Sequence, residues 1–126
     1  MTAPFPCPCG SGKVYPACCG RFHAGRPAPT ATALMRSRYT AFVLGLSDYL
    51  SETWHPTTRP PSIDMDPDTQ WSGLAIEETE GGNAWDTEGT VQFKATFVSP
   101  DGLGVLHERS RFVLEDNRWY YVDGTH

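Results

Sequence analysis

At 126 residues, with 39% hydrophobic and 12% aromatic content, the chain is long enough for one ordinary packed domain, and its 11 prolines and 12 glycines call for many turns. No apolar run approaches the roughly 18 residues of a membrane span, and residues 1–5 lack the basic start and apolar core of a signal segment; this speaks against a membrane protein and for a cytoplasmic one. The net charge of -5 gives no support to a general nucleic-acid footprint.

All 4 cysteines fall within residues 7–19, as Cys7-Pro8-Cys9 and Cys18-Cys19. Gly10, Gly12 and Pro16 lie between the two pairs, where a tight loop can fold both onto one tetrahedral centre. Free or oxidised thiols are the alternative, but neighbours this close make poor disulfide partners within each pair and good paired metal ligands. Four sulfur ligands favour zinc, with iron as the competitor, and a closed set of four leaves no open position for hydrolytic chemistry. His23 follows four residues after Cys19 and either replaces one cysteine or supports the ligands from behind. Ser11 and nearby backbone amides are candidate donors to thiolate sulfur. Residues 1–30 hold Lys13, Arg21 and Arg26 and no acid, a basic front suited to balancing a metal–thiolate centre or to meeting an acidic partner.

Residues 20–29 carry Gly and Pro without apolar periodicity and read as a linker. Thr30 then caps a helix whose Ala31, Leu34, Met35, Tyr39, Phe42 and Val43 recur at three- and four-residue steps, up to Gly45. Ser47 is placed to cap a second, shorter helix bearing Tyr49, Leu50, Thr53 and Trp54, stopped by His55-Pro56. Residues 56–70 read as a crossing loop with one helical turn near Asp66. Its Asp64, Asp66 and Asp68 lack the central Gly and distal Glu of a calcium loop.

From Trp71 the period becomes two-fold. Leu74 and Ile76 mark a first strand, and Val91, Phe93, Ala95 and Phe97 a second. A third runs from about 105 to 114, and the aromatic stretch 118–122 makes the last strand of a meander. In the third, Leu106, Glu108, Ser110, Phe112 and Leu114 share one face, with His107, Arg109, Arg111 and Val113 on the other. The three cations form a row that suits either an anion or plain solvent. The pattern as a whole is α+β.

The stretch Cys-Pro-Cys-Gly-Ser-Gly-Lys, eight residues between Cys9 and Cys18, and the closing Cys-Cys resemble the SEC-C motif, the metal-binding module also found at the C-terminus of the SecA translocation ATPase. The resemblance implies Cys7, Cys9, Cys18 and Cys19 as zinc ligands; in SecA-type examples the last position is often His. Residues 36–42, Trp54-His55-Pro56, residues 107–112 and residues 118–124 resemble the bacterial YchJ family, and that likeness covers essentially the whole chain. It implies a module over residues 1–26 followed by a nuclear-transport-factor-2-like domain over 27–126, a curved antiparallel sheet of about four strands with helices closing a cone.

Cones of this kind often hold a pocket. Here Glu108, Ser110, His55, Tyr39 and Trp54 are candidate wall residues, with Glu108 either a base in an apolar wall or the partner of Arg36 or Arg38. A cone filled by Trp54, Phe93, Phe112 and Trp119 would leave no room. The leading reading is a non-enzymatic zinc protein that presents the module to a protein partner, by analogy with SecA the translocation or ribosome-associated machinery. The rival is a small-molecule binder or enzyme using the cone, and a third reading has the cysteines handling iron.

Overall fold

The structure is a computed structural model that describes residues 5–63 and 65–125; Asp64 of the acidic loop lies outside the described residues. After a single 3-10 turn, Tyr15–Ala17, come helices α1 (Cys19–His23), α2 (Ala31–Leu44) and α3 (Ser47–Glu52), then strands β1 (Gln70–Gly81), β2 (Glu88–Ser99), β3 (Gly102–Glu115) and β4 (Arg118–Thr125). The strands form one antiparallel meander in the order β1-β2-β3-β4, the α+β architecture expected from the periodicities. Among the described residues no helix is long and apolar enough to cross a membrane.

Helix α2 begins where the Thr30 hydroxyl accepts the Ala33 amide at 3.0 Å and ends at Gly45, whose left-handed backbone returns its amide to Ala41. Its apolar stripe is only half of what it buries: Ser37, Arg38, Thr40 and Ala41 are buried as well. The helix is covered on both sides, by the sheet on one and by the cysteine-bearing segment on the other, so polar residues there need internal partners. Residues 20–29 are not the plain linker that their composition suggests. Cys19–His23 is helical and buries Phe22, which a five-residue element is too short to announce by periodicity. In α3 the helix starts at Ser47 after a Leu46 cap that uses no side chain, so Ser47 is not the cap. The turn near Asp66 is not helical: the Asp66 carboxylate accepts the Asp68 amide and the Thr69 hydroxyl, both at 2.9 Å, an Asx turn that competes with helix.

The sheet bends at irregularities between Trp71 and Gly73, between Ile76 and Glu78, and between Arg111 and Phe112. Asp116 and Asn117, both at positive φ, make the two-residue turn from β3 to β4. Val91, Phe93 and Ala95 of β2 and Phe112 of β3 point inward and are nearly inaccessible. The outer face carries charge in pairs: His107 with Glu77 at 2.5 Å, Arg109 with Glu78 at 3.2 Å, and Arg111 with Asp123 at 2.6 Å. The cationic row of β3 is therefore neutralised by its neighbours in β1 and β4. Inside, Cys7, Cys9, Cys18, Cys19, Phe22 and Ala28 belong to the same hydrophobic cluster as Leu34, Phe93, Phe112 and Trp119.

Candidate metal centre

The N-terminal segment folds back on itself: Pro6 bridges Val14, and the Cys7 amide donates to the Lys13 carbonyl at 2.9 Å. The reversal passes through Gly10 and Gly12 at φ 78° and 86°, left-handed values that side chains with a Cβ resist. The 3-10 turn then returns the chain, its closing bond running from the Cys18 amide to the Tyr15 carbonyl at 3.0 Å. This brings Cys18 and Cys19 beneath the first pair.

All four sulfurs lie within 4.8 Å of one another, and all four residues are buried. Sulfurs about 2.3 Å from a tetrahedral metal stand about 3.8 Å apart, and Cys9 and Cys18 are 3.6 Å apart. The donor set and its spacing fit a four-coordinate thiolate metal. No cysteine is in a disulfide.

The surrounding groups favour thiolate. The Ser11 hydroxyl is 3.2 Å from Cys18 Sγ; Thr40 of α2 donates its hydroxyl to Cys19 Sγ at 3.3 Å and lies 3.7 Å from Cys7 Sγ. Without metal Cys9, Cys18 and Cys19 hold their protons unequally. Cys9 is pushed down to about 4 by the hydrogen bond it accepts from Cys19, helped by Ser11. Cys19 is pushed far up by that same bond and by burial, and Cys18 is raised chiefly by burial. Metal binding must release the remaining protons.

His23 is not a ligand here. Its Nε2 is 2.8 Å from the Ser37 carbonyl, which can only accept, so Nδ1 takes the Tyr15 hydroxyl proton at 2.6 Å. Burial lowers its pKa, in keeping with this neutral ring. Arg36 turns to the cysteine segment, where its Nη1 donates to the Cys9 carbonyl at 2.8 Å. Arg36, Ser37 and Thr40 thus all serve the cysteine segment. They fall at one-, three- and four-residue steps, and that polar stripe of α2 is the signal that marks them beside the apolar one.

The candidate wall residues divide. Tyr39, Trp54, Glu108 and Ser110 do line a cavity between α2 and the sheet. His55 does not: its ring is bonded to Glu115 at 2.6 Å and to Thr57 at 2.7 Å, outside that space. Of the two arginines weighed as partners of Glu108, it is Arg38 that reaches the cavity.

Comparison with known proteins agrees with this geometry. Residues 30–124 match the family described as YchJ, middle NTF2-like domain, and residues 6–21 match the SEC-C motif. A UPF0225 protein of Streptomyces coelicolor is 55% identical over 120 residues, 94% of each chain. One from Chromobacterium violaceum is 50% identical over 94% of this chain and 90% of its own. The solution structure of a SEC-C motif containing protein from Rhodopseudomonas palustris superposes with a TM-score of 0.82 at 35% identity, covering 94% of this chain and 96% of that one. A crystal structure of another, from Psychrobacter arcticus, gives 0.78 at 31%, covering 93% and 80%. A SEC-C cysteine cluster joined to this sheet, in a chain so like the UPF0225 proteins along its length, places it in one family: the chain belongs to the YchJ family.

Proposed function

We propose that the protein is a non-enzymatic, cytoplasmic zinc protein in which Cys7, Cys9, Cys18 and Cys19 hold the ion and make the N-terminal segment a rigid surface for a protein partner. The observation that carries this is the closed, buried tetrad of sulfurs within 4.8 Å of one another. A site with four protein ligands and no open position organises the chain and does not activate water. Zinc suits it better than harder cations, and the reduced thiols suit a reducing compartment. The partner face is the basic one: Lys13 and Arg26 are exposed, and among the described residues neither is in an ion pair. Arg21 is partly occupied by the Cys18 carbonyl at 3.1 Å. An acidic protein surface, such as one in the translocation or ribosome-associated machinery, is the matching partner.

Metal analysis of protein purified without added zinc from iron-replete cells is expected to show one zinc per chain; iron in its place would replace this reading with iron handling. For the partner face, cross-linking in cells should capture the same protein with wild type and with Arg109→Ala on the far face of the sheet. It should lose that protein with the Lys13→Glu/Arg26→Glu pair, which leaves the four ligands intact. Equal capture by the charge-reversed pair would refute the basic face as the contact.

A further inference from the structure

A cavity of about 230 Å³ lies between α2 and the inner face of the sheet, separate from the cysteines. Phe42, Trp54, Trp71 and Phe93 give it an aromatic wall. The aromatic residues expected to fill the cone do not fill it: Trp54 and Phe93 line this space, and Phe93, Phe112 and Trp119 pack in the core. An apolar cavity of about 150 Å³ is enough to take benzene, so this one has room for two fused rings.

One end is polar, and its polarity is built. Arg38, only 4% exposed, is fixed by Nη1 donating to the Leu50 carbonyl at 2.8 Å and to Thr53 Oγ1 at 2.6 Å. Its guanidinium lies 4.5 Å from the centre of the Tyr121 ring and 5.3 Å from that of Trp54. Burial lowers its pKa to about 10, against which the Glu108 carboxylate favours the charge, so it is cationic at neutral pH. Glu108 Oε2 accepts the Ser110 hydroxyl at 2.5 Å and the Tyr121 hydroxyl at 3.5 Å. Gly124, opposite Ser110 in the ladder, makes room for this carboxyl, since a Cβ there would stand 2.3 Å from Glu108 Cδ.

Two consequences follow for an occupant. Arg38 and Glu108, of opposite sign, are the two charged residues among those lining the cavity, and a charged ligand would have to give up its hydration against the aromatic wall. The Tyr121 phenol is held protonated, its pKa raised to about 12 chiefly by burial. Its bond to Glu108 is long and weak, so its proton is available to an oxygen placed above it.

We propose that this cavity is a binding site for a neutral, flat molecule of about two fused rings, carrying one hydroxyl or carbonyl oxygen that accepts the Tyr121 proton. The test uses 2-naphthol, naphthalene and 2-naphthoate as probes, titrated at neutral pH into the full metal-loaded chain and followed through the tryptophan indole N–H signals. 2-Naphthol is expected to give saturable shifts of Trp54 and Trp71, and 2-naphthoate to bind at least about tenfold more weakly. Tyr121→Phe should weaken 2-naphthol by about three- to tenfold and leave naphthalene unchanged. Ala95→Phe, which fills the floor from β2, should abolish both; if it fails to fold, the Tyr121→Phe contrast still decides. Absence of saturable shifts at Trp54 and Trp71 would overturn the site. So would a response confined to Trp85, which is 96% exposed. Naphthoate binding as tight as naphthol, or naphthol binding indifferent to Tyr121→Phe, would overturn the neutral-oxygen specificity.

Discussion

The cysteine cluster and the cone cavity lie on opposite sides of α2, and the same helix turns supply both. Arg36, Ser37 and Thr40 reach the cysteine side, while Met35, Arg38, Tyr39 and Phe42 reach the cavity side. The two sites differ in how they are assembled. The cluster draws its four ligands from thirteen consecutive residues, so their geometry depends on local turns. The cavity is drawn from α2, the α3 exit and all four strands, so it exists only when the whole sheet is in register. A ligand set of the first kind can be gained or lost as a unit, whereas the second kind is inseparable from the fold.

That contrast invites its strongest test, removal of the metal. If residues 1–26 were an independent module, chelation or Cys9→Ser would unfold them alone. The shared hydrophobic cluster and the bonds from α2 argue for coupling instead. Structural zinc contributes on the order of 10 kcal/mol to folding in small modules, and part of that should be felt in α2. We expect chelation to remove hydrogen-exchange protection from residues 5–25 entirely and from α2 substantially, with β2 and β3 least affected. Unchanged protection in α2 would restore the independent module.

Phe112→Ala probes the other side. Phe112 is 1% exposed and touches Tyr121 edge-on, with ring centres 5.8 Å apart. Its loss should cost about 3–5 kcal/mol in denaturant unfolding while the folded protein keeps its full metal content. A parallel loss of metal would show that the cluster depends on the sheet as much as the helix does.

Much of this was legible in the residues because it is local. Four closely spaced cysteines imply a metal, Thr30 and Gly45 bracket a helix, and Val91-x-Phe93-x-Ala95 alternates as only a half-buried strand does. What could not be read depends on contacts between residues far apart in the chain. Nothing near Thr40 says that its hydroxyl meets Cys19, because the contact spans 21 residues and depends on how α2 lies across the knuckle. His55 and Glu108 were equally plausible cavity residues by type. Pairing decided between them: the His55 amide bonds to the Tyr121 carbonyl at 2.7 Å, and its ring then meets Glu115 on the outside. Helix α1 escaped notice because five residues with a Gly among them carry no usable period.

Thr40→Val separates contact from burial at the cluster. The shape is kept and only the hydroxyl is lost, so the Cys19 thiolate loses its donor from Thr40 and Cys7 loses a polar neighbour at 3.7 Å. Outer-shell changes of this type typically lower metal affinity about 10- to 100-fold, which competition with a chelator of known affinity would read. Thermal stability of the metal-saturated protein should move much less. If Thr40→Val left metal affinity unchanged, α2 would touch the cluster without tuning it.

The smallest expected effect, and the most specific, concerns His23. Its ring joins the cysteine segment to α2 through Tyr15 on one side and the Ser37 carbonyl on the other, with Tyr49 packed edge-on at 4.6 Å between ring centres. Burial lowers its pKa in the folded chain, whereas an unfolded histidine titrates near 6.5. The unfolded chain therefore binds the proton first, so the contribution of this residue is fully present above about pH 6.5 and shrinks as the pH falls below it. A proton on Nδ1 also leaves two donors facing each other across the Tyr15 bond, which forces the phenol to turn away. We expect His23→Gln to flatten the acid limb of the stability profile measured at saturating zinc above pH 5, where the difference from wild type should vanish as the pH is lowered. A wild-type excess that persisted undiminished at the acid end would mean that His23 holds the cysteine segment to α2 by packing alone, and not through the neutral ring that Tyr15 and Ser37 select.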